Sequence, residues 1–203
     1  MITTIIFDLS NVYLEGILGS HKYFEKKVGT PVSDTYFYNE DFKRFMLGQV
    51  TEDAYWRSVI KENSWDISID ELKTAARKNF TEIKGTREII ERLKKEGYTL
   101  LLLSNHAKEW VEYSEEKYQY HQLFDEVFYS FSLGIAKPHK DIFSTVLKRI
   151  AAEPTECLFI DDYKKNLEAA ETFGIKTILF TTAGNLENEL TNLKIVKRRK
   201  ILR

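Results

Sequence analysis

The sequence has little that would staple or stiffen a chain: one cysteine, three prolines and nine glycines in 203 residues. A lone cysteine, Cys157, excludes a disulfide framework within the chain, and its place in an apolar run marks it as a small buried side chain. A reducing, cytoplasmic setting is the expectation that follows. Net charge is also scarce. Thirty basic residues against 31 acidic ones leave a formal charge of −1, so no global field draws nucleic acid or an anionic membrane. No apolar stretch approaches the length of a membrane span, and the short run at the amino terminus lacks a basic leader. Internal repeats and low-complexity tracts are absent. What remains is an ordinary soluble composition, 43% apolar and 30% charged. It suffices for one substantial core, or a core with a smaller insert.

From Gly85 onward, apolar runs of strand length alternate with helical patterns. The pattern predicts helices over 87–96, 109–118, 139–150 and 163–173, and strands over 98–103, 126–129, 157–160 and 176–180. Gly97 and Gly174 supply left-handed stops, and Pro138 reads as the first position of the third of these helices. With the amino-terminal run 2–6, the alternation predicts an α/β fold: a parallel sheet with right-handed helical crossovers, its strands covered on both faces.

Residues 14–84 read differently, as aromatic-rich and mostly helical. Thr51 followed by Glu52 and Asp53 is a helix start, with the acids well placed in the first turn. Ser68 and Glu71 have capping-box spacing. The aromatics Tyr36, Phe37, Tyr38, Phe42, Phe45, Tyr55, Trp56 and Trp65 are expected to form a small core of their own. The division expected is therefore an α/β core from 1–13 and 85–203, with a helical insert over 14–84. The basic terminus 194–203 reads as a solvated tail or a short guarded edge strand.

Four segments place polar groups at strand ends or a helix start. They are Phe7-Asp8-Leu9-Ser10-Asn11-Val12, Leu101-Leu102-Leu103-Ser104-Asn105, Gly134-Ile135-Ala136-Lys137-Pro138 and Leu158-Phe159-Ile160-Asp161-Asp162. Each alone has a plain structural reading: a carboxylate capping a turn, a Ser-Asn helix cap, a solvated lysine. In this order, however, they resemble the motifs of the haloacid dehalogenase-like hydrolase superfamily, most of whose members are magnesium-dependent phosphatases. The resemblance covers 1–13 and 85–180, and 14–84 lies where one large subgroup inserts a helical cap.

The resemblance implies a Rossmann-like α/β core with an inserted helical cap domain, the motifs meeting at the switch-point crevice. It makes Asp8 the nucleophile and a metal ligand, beside the backbone carbonyl of Ser10 and Asp162. Asp161 becomes a neighbour of metal-bound water or of Lys137, and Asn166 a supporting polar residue. Adjacent carboxylates beside Asp8 repel one another unless a cation intervenes, and hard oxygen donors suit Mg²⁺. Ser104, Asn105 and Lys137 would hold the phosphate of a small phosphorylated substrate, Lys137 also neutralising the transferring group. Neither nucleic acid nor membrane is expected as a partner.

Ser10 departs from the pattern. Typical phosphatases of the superfamily carry a second aspartate there as general acid and base, and a hydroxyl does that work poorly. Three readings stay open: a phosphatase that uses good leaving groups or borrows an acid–base group, a dehalogenase-type hydrolase, and a non-catalytic binding protein. His21, Glu15 and His106 are the candidate replacements.

Overall fold

Five short runs pair into one sheet with helices on both faces. The computed structural model describes residues 1–197. Its strands are β1 (Thr4–Phe7), β2 (Thr99–Ser104), β3 (Glu126–Tyr129), β4 (Cys157–Asp161) and β5 (Lys176–Leu179). They lie in the order β3-β2-β1-β4-β5, all neighbours parallel. The helices are α1 (His21–Val28), α2 (Glu40–Met46), α3 (Glu52–Asn63), α4 (Ile69–Arg77), α5 (Thr86–Lys95), α6 (Lys108–Tyr118), α7 (Ser130–Leu133), α8 (Lys140–Ile150), α9 (Lys164–Glu171) and α10 (Ala183–Asn192).

The central strands are apolar throughout because alternate residues enter different cores. Ile5, Phe7, Leu100, Leu102, Leu158 and Ile160 pack with Ile90 and Leu93 of α5 and Leu186 of α10. Ile6, Leu101, Leu103 and Phe159 pack on the other face with Val146 of α8 and Ala170 of α9. A strand buried on both faces loses the polar–apolar alternation of a half-exposed one. The chain leaves β1 towards β2 on one side and reaches β4 on the other, so the order reverses beside β1. Groups at the carboxyl end of that strand therefore face the crevice where such sheets bind ligands.

Between β1 and α5 lie α1 to α4 and a 3₁₀ turn, Asp34–Phe37. The Thr51 side chain caps α3, and both halves of the Ser68–Glu71 capping box are formed at α4. Phe37, Phe45, Tyr55 and Trp56 are buried together, but the cluster also takes in Ala107 and Trp110 from the α6 segment. The aromatics thus share their core with the sheet's side of the molecule instead of forming an isolated one. Tyr36 and Tyr38 are exposed, contrary to the sequence expectation. The insert enters and leaves through one short contact. Leu14 bridges Glu82, Glu15 N–H donates to Thr81 O at 2.9 Å, and Ile83 N–H to Tyr13 O at 2.8 Å.

Three further local readings change. Pro138 precedes His139, the N-cap of α8, so it lies outside the helix and not at its first position. The helix α10 went unrecognised in the sequence, although Thr182 caps it and Leu186 and Leu190 recur four apart on its buried face. In the basic terminus, Ile195 and Val196 are neither strand nor solvated: they are 8% and 4% exposed, and Tyr98 donates to the Ile195 carbonyl. The remainder of that segment, 198–203, lies outside the described residues. Among the described residues no helix is long and apolar enough to cross a membrane.

Candidate active site

Asp8 follows β1 directly, and its N–H still donates to Ile160 O of β4 at 2.9 Å. The carboxylate is 6% exposed. Its Oδ1 accepts from the Leu9 N–H at 2.7 Å and lies 2.9 Å from Lys137 Nζ. Lys137 is fully covered and spans to Asp161 Oδ2 at 2.7 Å, making one ammonium the bridge between two strand-end carboxylates. Its Nζ also lies over the Phe159 ring, 5.3 Å from the centroid. Asp161 also accepts from both the Tyr163 N–H and Asn166 Nδ2.

Asp8, Asp161 and Asp162 each place a carboxylate oxygen within 4.8 Å of the others. Burial lifts the Asp8 pKa to about 7; Lys137 opposes the rise, while Asp161 and Asp162 add to it. Burial and the charge of Asp161 also raise that of Asp162 against a hydrogen bond from Asn11. Burial disfavours the Lys137 ammonium, but Asp161 and Asp8 outweigh it and hold its pKa above the ordinary lysine value. Three carboxylates facing one ammonium leave excess negative charge in a water-poor crevice, the condition that a divalent cation relieves. The donors are all oxygens, so the set fits magnesium and suits zinc badly.

The loop after Asp8 is tight. Asn11 N–H donates to Leu14 O at 2.6 Å and Leu14 N–H to Leu9 O at 2.9 Å; neither bond uses the Ser10 carbonyl. Asn11 adopts a left-handed φ of 58°, which asparagine tolerates. Its Nδ2 reaches Asp162 Oδ2 at 3.0 Å, and its Oδ1 accepts from Gly16 N–H. A Cβ at Gly16 would stand 3.3 Å from Ser10 Cβ, so glycine permits the close return of the chain over Ser10. Sequence reasoning placed Asn11 in the motif without a task. Its partner lies 151 residues away, and only the fold joins them.

Ser104 ends β2 with a buried hydroxyl that has no protein partner. Such a group is poised for a ligand oxygen. Asn105 is used otherwise. Its Nδ2 donates to Lys137 O at 2.7 Å and its Oδ1 accepts the Lys137 N–H at 2.8 Å. The side-chain amide therefore fixes the lysine backbone and keeps one N–H of Nδ2 free. Asn166 Oδ1 is also buried without a partner.

A cavity of about 490 Å³ opens beside these groups, lined by residues from both the insert and the core, Ser10 and Lys137 among them. Of the three candidate acid–base residues, only His106 lines it. Its Nδ1 accepts from the Ala107 N–H, and burial lowers its pKa to about 4, so near neutrality the ring is uncharged with its proton on Nε2. His21 instead faces Asp34 at 3.1 Å, and Glu15 is exposed.

The chain resembles known proteins over most of its length. The family model for haloacid dehalogenase-like hydrolases matches residues 5–180. D-ribitol-5-phosphate phosphatase of Bacteroides thetaiotaomicron is 26% identical over 94% of this chain and 98% of its own. Flavin mononucleotide hydrolase 1 of Arabidopsis thaliana is 24% identical over 74% of this chain, which spans only 61% of that relative's length. A haloacid dehalogenase family enzyme from Bacteroides thetaiotaomicron, solved with magnesium and inorganic phosphate, shares the fold with a TM-score of 0.78. It is 20% identical, over 90% of this chain and 96% of its own.

Proposed function

The chain belongs to the haloacid dehalogenase-like hydrolase family, and from that premise we propose that it is a magnesium-dependent phosphatase working through an aspartyl-phosphate on Asp8. The observation that carries this reading is the fully covered Lys137, held between Asp8 and Asp161. A buried ammonium aimed at a strand-end carboxylate serves phosphoryl transfer better than it serves stability, since a buried ion pair adds little net stability. The comparisons support the chemistry: one relative is named a phosphatase of ribitol 5-phosphate, and a solved structure of the family holds magnesium and inorganic phosphate.

In this reading Asp8, the Ser10 carbonyl and Asp162 would hold the magnesium, which would supply positive charge to offset the repulsion between carboxylate and phosphate. An Asp8 oxygen attacks phosphorus, and the bond from phosphorus to the ester oxygen breaks with its electron pair on that oxygen. Lys137 balances charge on the transferring group, and the Ser104 hydroxyl donates to a non-bridging oxygen. Asn105 keeps Lys137 in place through its backbone. Water then attacks the aspartyl-phosphate, releasing phosphate and restoring the Asp8 carboxylate. Residues 14–84 act as a cap over this crevice, and 1–13 with 85–203 form the core. The buried thiol of Cys157 suits the reducing cytoplasm.

Ser10 sets the kinetics. With no carboxylate to activate water, the second half-reaction is slow, by about 10²–10⁴-fold for a missing positioned base. Rapid-quench kinetics with magnesium should therefore show a burst and then a slow steady rate, and intact-mass spectrometry should detect the phosphoprotein. Ser10→Asp should speed the steady phase, while Asp8→Asn should abolish both. Turnover that survives Asp8→Asn would overturn the reading.

A further inference from the structure

The cavity beside Asp8 is unusual in what covers its walls. Tyr38, Phe42 and Trp110 supply three aromatic faces, and Ile17, Leu18 and Met46 add aliphatic ones. Five large hydrophobic side chains are well exposed among the described residues, and two of them, Leu18 at 42% and Tyr38 at 47%, line this one cavity. Apolar surface gathered at a concave site is surface that a ligand covers.

Several polar groups of the lining are already engaged within the protein. Both ends of the Asn105 amide are bound to the Lys137 backbone. Both ends of the Asn11 amide are taken by Asp162 and Gly16. His106 Nδ1 is taken by Ala107, and Lys43 at the rim pairs with Glu40 at 2.6 Å. No aspartate or glutamate lines the cavity. The Ser10 and Tyr38 hydroxyls and His106 Nε2 remain for a polyol chain, and each hydroxyl that they do not meet would be buried unpaired at about 1–3 kcal/mol. A ring would instead cover apolar wall.

Resting on the phosphatase reading above, we infer that the preferred substrates are aryl phosphates, with the aromatic ring seated against Tyr38, Phe42 and Trp110 and the phosphate directed to Asp8. Ser10 points the same way by an independent route. A phenol has a pKa of about 10, and that of an alcohol lies well above it, so a phenolic oxygen leaves far more readily. It departs as phenolate when its bond to phosphorus breaks and takes its proton from water afterwards. The site therefore needs no general acid for this class, and it has none at position 10. One cavity and one substitution converge on one leaving group.

Three esters separate the two causes. Phenyl phosphate carries the ring and the good leaving group, benzyl phosphate the ring with a poor one, and ribitol 5-phosphate neither. With magnesium and the intact chain, kcat/KM for phenyl phosphate should exceed that for ribitol 5-phosphate by about 100-fold or more. In single-turnover rapid quench, benzyl phosphate should half-saturate at the same concentration as phenyl phosphate but phosphorylate Asp8 far more slowly. Tyr38→Ser and Leu18→Ser replace exposed side chains and should raise the KM for phenyl phosphate severalfold more than that for ribitol 5-phosphate. Preference for ribitol 5-phosphate, with activity lost in Asp8→Asn, would overturn the aryl inference and leave the phosphatase reading standing. KM values for the two ring esters that ignore both substitutions would also overturn it. No turnover of any ester by the unaltered protein would overturn both readings.

Discussion

Lys137 and His106 line the same cavity and burial disfavours the charge of each, yet they end in opposite states. Lys137 keeps its charge because Asp8 and Asp161 hold it. Lys137→Met would leave those two carboxylates buried with no cation, a loss of about 3–5 kcal/mol in metal-free protein. Urea denaturation in chelator should show that loss at pH 8, a smaller one at pH 6 where Asp8 is protonated, and partial recovery with magnesium. Equal losses under all three conditions would mean that only the contact of Lys137 with the Phe159 ring had been removed. His106 has no such partner, and burial holds its pKa at about 4 against about 6.5 in the unfolded chain. The unfolded state therefore binds more protons between those values, and stability fully present above pH 6.5 is lost as pH falls through 4. The shift corresponds to about 3 kcal/mol. Replacing His106 by Gln should flatten the stability profile between pH 4 and 6.5. An unchanged slope would show that the ring is already charged in the folded protein.

At the scale of elements, α3 meets α6 through a buried carboxylate that obeys a local rule for a distant reason. Glu52 in the first turn of α3 looks like an ordinary favourable acid at a helix start. In the structure it is 2% exposed, and its Oε1 accepts from the indole N–H groups of Trp56 at 3.2 Å and Trp110 at 2.9 Å. Its Oε2 accepts from Arg77 of α4 at 2.7 Å. Nothing local distinguishes it from Asp53 beside it, because Trp110 lies 58 residues further on. The strand-end groups were legible for the contrary reason. An apolar run that stops at a carboxylate or a hydroxyl is a pattern within a few residues, and Asp8, Ser104 and Asp161 stand where those runs end. Since Glu52 orients Trp110, a wall of the cavity, Glu52→Ala should destabilise by about 3–5 kcal/mol through the stranded Arg77 charge. Glu52→Gln should cost less, about 1–3 kcal/mol, because an amide oxygen still accepts the indoles. Denaturation midpoints in urea measure both. Equal losses for the two variants would mean that the loss comes from the Arg77 partner charge that both remove, and that the indole hydrogen bonds add nothing.

The whole molecule joins two apolar territories of unequal reach. The sheet is stitched by parallel pairs between segments far apart in sequence, such as β1 with β2 and β4. The insert packs mainly on itself and meets the core at Ala107 and Trp110, at the Leu14–Glu82 bridge, and at Ser130, whose hydroxyl donates to Met46 O. The sequence announced this division through composition, as a change near Gly85 from aromatic helices to alternating strands and helices. It could not announce the shared tryptophan, because Trp110 reads simply as one apolar position of α6. From the architecture, amides of β1, β2 and β4 should exchange hydrogen only through global unfolding, and those of α1 to α4 through a smaller opening of lower free energy. Occupying the cavity with phenylphosphonate and magnesium should then slow exchange in α2, where Phe42 and Met46 line the wall, more than in α9 on the far face of the sheet. Native-state exchange followed by mass spectrometry resolves both comparisons. If the helices of 14–84 and the strands exchange with one common free energy, the two territories unfold as a unit, and the insert is no separate cap. If they part, the cavity between them is closed by a body that can move on its own, and its aromatic wall reaches a bound ring by that motion.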